Sequence, residues 1–184
     1  PEHSQLDFEM CFVDEDDIMD TIESLMKHVV KKVLGKEIKE KFQRLSYDES
    51  MEKYGNDKPD LRYELELITV TDIAKKSDFE IFKKADTVKV LVAEKAVGRK
   101  EIDSLIEFSQ KELGAKGLAY MKFDGKVLES SIVKYFPEKI QKELIGLLKL
   151  KKDSTVFFIA DKKKRANEIL SGLRIEFAKR LELI

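Results

Sequence analysis

Nine consecutive residues place the strongest local constraint on this chain: Tyr54, Gly55, Asn56, Asp57, Lys58, Pro59, Asp60, Leu61 and Arg62. No other stretch of the 184 residues is as dense in turn formers. Gly55 tolerates positive φ and can end a helix that precedes it. Pro59 fixes its own φ and drives Lys58 out of the helical region. Asp57 and Asp60 can each accept a bond from a nearby amide, as Asx turns do. The run predicts a rigid, non-helical corner carrying Asp57, Lys58, Asp60 and Arg62. A charged surface turn has the same composition.

Upstream of the corner, residues 6–13 alternate. Leu6, Phe8, Met10 and Phe12 point one way, and Asp7, Glu9, Cys11 and Val13 the other. That is the period of a half-buried strand. Gln5 is in phase with Asp7 and Glu9, and their face is either solvated or the floor of a polar pocket. Asp14, Glu15, Asp16 and Asp17 then supply an N-cap and an acidic first turn. They lack the spaced ligands and central glycine of a calcium loop. Ile18, Ile22, Leu25, Met26, Val29 and Val33 follow at helical spacing, Gly35 closes the helix, and His28 lies off the apolar stripe. Residues 42–45 read as an extended link. Ser46 and Glu49 have the spacing of a capping box and open a short helix ending near Tyr54. Beyond the corner, Tyr63, Leu65 and Leu67 alternate with Glu64 and Glu66, predicting a second strand before a helical turn at 72–76.

From Phe79 onward the order reads β-α-β-α-α-β-α. Strands are expected at 87–93, 117–123 and 155–160, and helices at 99–113 and at 131–150 with a break at Pro137. Asp161 can cap a last helix that turns Ile169, Leu170, Leu173, Phe177 and Leu181 inward. Three strands with crossing helices make a small layered α/β or α+β domain of about 100 residues. Their order and direction do not follow from the pattern.

Composition matters here for what it excludes. Lys plus Arg total 35 and Asp plus Glu 36, so no global pull on nucleic acid is indicated and any RNA contact needs a local patch. Lys162, Lys163, Lys164 and Arg165 form the compact basic cluster, and helix N-termini disfavour cations. A solvated face and a phosphate contact are the two readings of it. A single cysteine, Cys11, excludes a disulfide framework and fits a reducing compartment. One cysteine with two histidines speaks against structural zinc. Neither a membrane-spanning apolar run nor a signal peptide is visible. The chain opens on Pro1 rather than Met, which leads us to expect a segment of a longer protein.

The corner resembles the YGxDKPDLR signature of bacterial-type aspartyl-tRNA synthetases, with every specified letter present. Pro1-Glu2-His3-Ser4-Gln5-Leu6-Asp7-Phe8-Glu9-Met10 is similar to the end of class II motif 2 in that family, PEFTQLDxEMSF. Gly114-Ala115-Lys116-Gly117-Leu118-Ala119-Tyr120 matches a GAKGLAY stretch of the GAD domain. That domain is an insertion in these enzymes and also occurs in an amidotransferase subunit. Phe157-Phe158-Ile159-Ala160-Asp161 and Leu173-Arg174 are similar to the family's FFxAD and LR pieces. The pieces follow the family's order over nearly the whole chain.

The resemblance implies an α+β chain. Residues 1–76 would be part of a class II catalytic domain, 77–172 a GAD insertion domain of α/β layers, and 173–184 a helix returning to the catalytic domain. It implies an aspartate–tRNA ligase that activates aspartate with ATP and Mg²⁺ and transfers the aspartyl group to the 3′ end of tRNA(Asp). Such an enzyme is expected to be homodimeric, cytoplasmic and free of membrane. By resemblance, Asp7 holds the ammonium of aspartate and Gln5 lies beside it. The chemistry agrees, since an ionised Asp is acceptor-only and makes short charge-assisted bonds. His3 stands where the family has a Phe that stacks on adenine; an imidazole also stacks, with less area. Ser131 stands where the family often has Pro. Lys162, Lys163, Lys164 and Arg165 become candidate tRNA contacts. The phosphate-gripping residues of the family's motifs lie outside this chain, as does an anticodon-binding domain. No catalytic residue or metal ligand is therefore expected within it, and the chain alone is expected to be inactive. The alternative is a non-catalytic, GAD-like module that binds RNA or protein.

Overall fold

Asp14 begins the first helix as its sequence requires. In the computed structural model, which describes residues 2–180, 182 and 183, its carboxylate accepts from the amides of Asp16 and Asp17 while Asp17 reaches back to the Asp14 amide. This reciprocal cap satisfies donors that a helix start leaves free. Helix α1 spans Glu15–Leu34 and ends at Gly35, whose φ of 64° is left-handed. Arg44 pairs with Asp16 and Asp20 on the same helix, and Lys27 lies over the ring of Phe42. These contacts belong to the first of two units, Pro1–Arg44 and Leu45–Ile184.

The strand expected at residues 6–13 is not formed. Residues 2–10 adopt no regular structure, and every side chain from Glu2 to Val13 is exposed. A strand needs a neighbour for its amides and carbonyls, and the described residues of Pro1–Arg44 contain no second strand. Alternation marks which side chains could share a face. It does not supply a partner.

The second unit is built on one antiparallel sheet of five strands in the order β1-β2-β5-β3-β4: β1 Leu67–Thr69, β2 Thr87–Ala93, β3 Ala119–Phe123, β4 Leu128–Glu129 and β5 Ser154–Asp161. β5 is central and pairs with β2 from Thr155↔Ala93 to Asp161↔Thr87, and with β3 from Ser154↔Phe123 to Phe158↔Ala119. The second predicted strand is thus present only from Leu67. Leu65 has φ +88°, a conformation that interrupts the extended run. The burial alternation of Tyr63 to Leu67 nevertheless holds, with Tyr63 and Leu67 buried and Glu64 and Glu66 exposed.

Helices cover both faces of the sheet. One face packs against α3 Thr71–Ala74, α4 Glu80–Lys84 and α6 Glu138–Leu148, with Val88, Val90, Met121, Val156 and Phe158 meeting Phe82, Ile140 and Leu144. The other packs against α5 Arg99–Lys111 and α7 Lys163–Arg180, with Leu91, Phe157 and Ile159 meeting Leu105, Leu170, Leu173 and Phe177. Helix α2 Tyr47–Tyr54 precedes the sheet, starts at Ser46 and ends at Gly55. Pro137 sits at the N-cap of α6 after a short 3-10 turn at Val133–Tyr135, which accounts for the expected break. Helix α7 continues through residues 172 and 173 without interruption, and β1, which precedes residue 77, pairs with β2. The inward positions expected of Ile169, Leu170, Leu173 and Phe177 are observed; Leu181 lies outside the described residues.

Phe158 is 1% exposed and stacks on Phe82 at 5.5 Å between ring centroids. Replacing it with Ala removes both the apolar transfer and the ring contact at the sheet centre. We expect Phe158→Ala to destabilise the protein by about 3–5 kcal/mol, read from the urea midpoint of unfolding.

Candidate functional site

The turn-rich run forms the corner its residues predict, and helix α7 shapes it from beneath. Gly55 has φ +76°, and a Cβ there would stand 2.4 Å from the carbonyl oxygen of Asn167. The corner backbone therefore lies directly on α7, a close approach that only glycine permits. Asn56 donates from its side-chain amide to Ser171 Oγ at 2.6 Å, and its Oδ1 accepts from the Lys58 amide at 2.8 Å. Asn56 thus makes the Asx bond expected of Asp57, whose side chain is exposed. Asp60 makes its own, accepting from the Arg62 amide at 3.0 Å.

Arg174, 1% exposed, completes the arrangement. Its Nε donates to the Leu65 carbonyl at 3.0 Å, and one terminal nitrogen donates to the carbonyls of Asp60 at 2.8 Å and Tyr63 at 3.0 Å. The guanidinium also lies over the rings of Tyr63, at 4.2 Å, and Tyr54, at 4.9 Å. Among the described residues it pairs with no carboxylate. The charge is met by carbonyl dipoles and aromatic faces instead. The strained backbone of Leu65 presents one of those carbonyls.

Asn167, Ser171 and Arg174 recur at i, i+4 and i+7, so one face of α7 holds the whole corner. Sequence reasoning followed the apolar stripe of this helix and passed over them. Their helical spacing was the available signal, together with the Leu173-Arg174 piece.

Above this base, Asp60 and Arg62 form a two-pronged pair, with Arg62 Nε 3.0 Å from Oδ1 and a terminal nitrogen 2.6 Å from Oδ2. The side-chain and amide bonds from Arg62 hold the Asp60 carboxyl down at about 2. Burial pushes the Tyr63 hydroxyl up, and among the described residues its oxygen finds no hydrogen-bond partner. Asp57, Lys58, Leu61 and Arg62 all face solvent.

A second polar cluster ties α2 to the sheet. Lys89, fully buried on β2, donates to the Glu52 carbonyl at 2.8 Å and lies 3.1 Å from the Glu52 carboxylate. Lys163 reaches the same carboxylate at 3.2 Å, and Thr69 donates to it. Burial pulls the Lys89 ammonium below its ordinary value against the opposing pull of Glu52. Burial also raises the Glu52 carboxyl, but the hydrogen bonds from Thr69 and Lys89 outweigh it and leave it lowered. A lysine inside the otherwise apolar run of β2 was the signal for this cluster.

The residues nominated from sequence fall in different places. His3, Gln5 and Asp7 are exposed on the irregular segment of Pro1–Arg44, and no hydrogen bond or ion pair joins them to another described residue. An open groove in the same unit, of about 700 Å³, is lined by Met10, Val13, Asp14, Glu15, Asp16 and Ile18 and includes none of the three. In the basic cluster, Lys163 is engaged with Glu52, and Arg165 donates to the Leu113 carbonyl and to Glu168. Lys162 and Lys164 are exposed. His28 is exposed, as its position off the stripe predicts.

Comparison with known proteins gives this geometry a context. The family described as tRNA synthetases class II (D, K and N) matches residues 1–171. The whole chain aligns at 44% identity with an aspartate–tRNA(Asp/Asn) ligase of Aquifex aeolicus, covering 31% of that protein. It aligns at 42% with a ligase of the same name from Hydrogenobaculum sp. and at 41% with an aspartate–tRNA ligase of Staphylococcus saprophyticus, covering 32% of each. The chain thus spans about a third of the length of these curated relatives.

Two outcomes follow from the corner. Arg174→Met strips the carbonyls of Asp60, Tyr63 and Leu65 of their donor, and we expect a loss of on the order of 3 kcal/mol in denaturant unfolding. Arg174→Lys should recover little, because an ammonium cannot reproduce the planar fork. The Asp60 carboxyl titrates lower in the folded chain than the unfolded value of about 4, so its pairing stabilises the protein at neutral pH. That contribution is lost as pH falls through about 2. In Asp60→Asn, unfolding midpoints followed between these two pH values should show a shallower decline than in the parent chain.

Proposed function

The chain belongs to the class II tRNA synthetases of the D, K and N group, and on that footing we propose that it forms part of an aspartate–tRNA ligase. The observation that carries the reading is alignment over all of the chain, at 40–44% identity, with ligases named for aspartate. In this reaction the α-carboxylate of aspartate attacks the α-phosphorus of ATP and releases pyrophosphate. The tRNA terminal hydroxyl then takes the aspartyl group and releases AMP. Matched relatives carry both the aspartate and the aspartate/asparagine name, and tRNA(Asp) is the acceptor the names share.

Within that reading, Asp7 accepts from the ammonium of bound aspartate and Gln5 lines the same pocket. Both need walls that residues outside Pro1–Arg44 would supply, consistent with their exposure here. His3 lies against adenine. Lys162 and Lys164 are the members of the basic cluster left available for tRNA phosphate, since Lys163 and Arg165 are engaged internally. Residues 77–172 correspond to a GAD-type insertion on a class II catalytic framework. The functional enzyme is a homodimer in the cytoplasm; no described helix is long and apolar enough to cross a membrane. The Mg²⁺ that accompanies ATP in such reactions is held mainly by phosphate oxygens and water, with one or two carboxylates.

The test is aspartate-dependent ATP–pyrophosphate exchange by the ligase that contains this chain. Asp7→Asn should lower kcat/KM for aspartate by about 10–100-fold, the worth of a hydrogen bond to a charged group, with KM for ATP unchanged. The 184-residue chain alone should show no exchange. Wild-type kcat/KM for aspartate in Asp7→Asn would remove the assignment.

A further inference from the structure

We infer that one end of the five-stranded sheet, formed by the loops 94–98, 124–127 and 149–153, is a docking surface for the phosphodiester backbone of RNA. This deepens the proposed ligase function and rests on it for the identity of the RNA. The near-zero charge of the chain conceals local differences: these three loops hold Lys95, Lys126, Lys149, Lys151 and Lys152 against Glu94, Asp124 and Asp153, a net +2.

Strand register brings the three loops together. Thr155 at the start of β5 pairs with Ala93 at the end of β2, and Ser154 pairs with Phe123 at the end of β3. The loops that leave these strands carry Lys95, Lys126, Lys149, Lys151 and Lys152, all exposed. A Cβ on Gly125 would lie 3.2 Å from the Lys152 side chain, and Lys151 lies 2.6 Å from Glu94, so the loops touch. Lys151 is paired; Lys95, Lys126, Lys149 and Lys152 meet no carboxylate among the described residues. Of the acids at this end, Glu94 is held by Lys151, Asp124 accepts from the amides of Lys126 and Val127, and Asp153 is exposed. The opposite end of β5 differs, because there Glu52 and Glu168 engage Lys163 and Arg165.

The lysines also stand on fixed backbone. Thr155, fully buried, accepts from the Val97 amide at 3.2 Å and donates to the Lys95 carbonyl at 3.1 Å. Ser154 Oγ accepts from the Lys151 amide, and Asp124 closes the turn that presents Lys126. Lys149 occupies the left-handed cap position of α6. Four point charges spread over three rigid loops suit a repeating anionic backbone, which offers a phosphate to each, better than a single compact anion.

The test is fluorescence anisotropy of a labelled RNA hairpin with a single-stranded 3′ tail, titrated with the 184-residue chain across about 50–200 mM salt. The quadruple variant K95Q/K126Q/K149Q/K152Q should bind more weakly and lose up to about 3 from the slope of log affinity against log salt, at about 0.7–0.9 per phosphate contact. A control with the same charge change on α4 and α6, K83Q/K84Q/K139Q/K142Q, should change the slope by less than about 1. Should the quadruple variant fail to fold, K95Q/K152Q reads half the effect. The proposal is overturned if the parent chain binds no RNA, if the quadruple variant shifts the slope by less than about 1, or if the control shifts it equally. Loss of exchange activity in the ligase bears on the proposed function and leaves this result unaffected.

Discussion

A single guanidinium inside the second unit determines the path of a surface segment. Burying a charge without an opposite charge is unfavourable unless its donors are met. Arg174 satisfies that condition only with the carbonyls of Asp60, Tyr63 and Leu65 turned inward and the rings of Tyr54 and Tyr63 laid against it. The corner cannot take another course without stranding that charge. Leu65 accordingly keeps a backbone conformation that leucine seldom adopts. The strain is local, and the bonds that hold it come from a helix more than 100 residues later in the chain.

The polar interior has a second anchor on β2. Lys89 stands among Val88, Val90 and Leu91 on a strand buried on both faces, where an unpaired ammonium would be costly. It reaches Glu52 on α2, and Glu52 also collects Thr69 and Lys163. Helix α2 is thereby fixed at Glu52, and its end at Gly55 rests on α7. The two anchors hold opposite sides of one short helix and leave Asp57, Lys58 and Arg62 directed at solvent. Rigid backbone beneath exposed polar groups lowers the entropy lost when those groups are engaged.

Sequence periodicity located nearly every helix and the three long strands, because the spacing of an apolar face is set by backbone geometry alone; α1 shows that spacing although none of its residues is buried. Gly35, Gly55 and Pro137 stand where the chain changes direction. Pairing was less legible. Residues 6–13 alternate as well as any strand in the chain, yet no described residue of Pro1–Arg44 pairs with them. The two-residue β4 carries too few positions to show a period. Of the candidate site, the corner was visible as a run of turn formers, whereas Asn167, Ser171 and Arg174 were hidden because buried polar residues look like surface ones until their partners are known. The roles proposed for His3, Gln5 and Asp7 rest on resemblance, since exposed side chains on an irregular segment carry no physical signature of their own.

The place of β5 has a bearing on how the protein is made. It is the middle strand of the sheet and the last to leave the ribosome. Until it arrives, β2 and β3 have no common neighbour, and the apolar faces of both must wait through roughly 60 residues of further synthesis after β2 is complete. Folding of this unit is therefore a closing step, and a nascent chain that stalls before Ser154 would expose Leu91 and Met121 to chaperones or to other stalled chains.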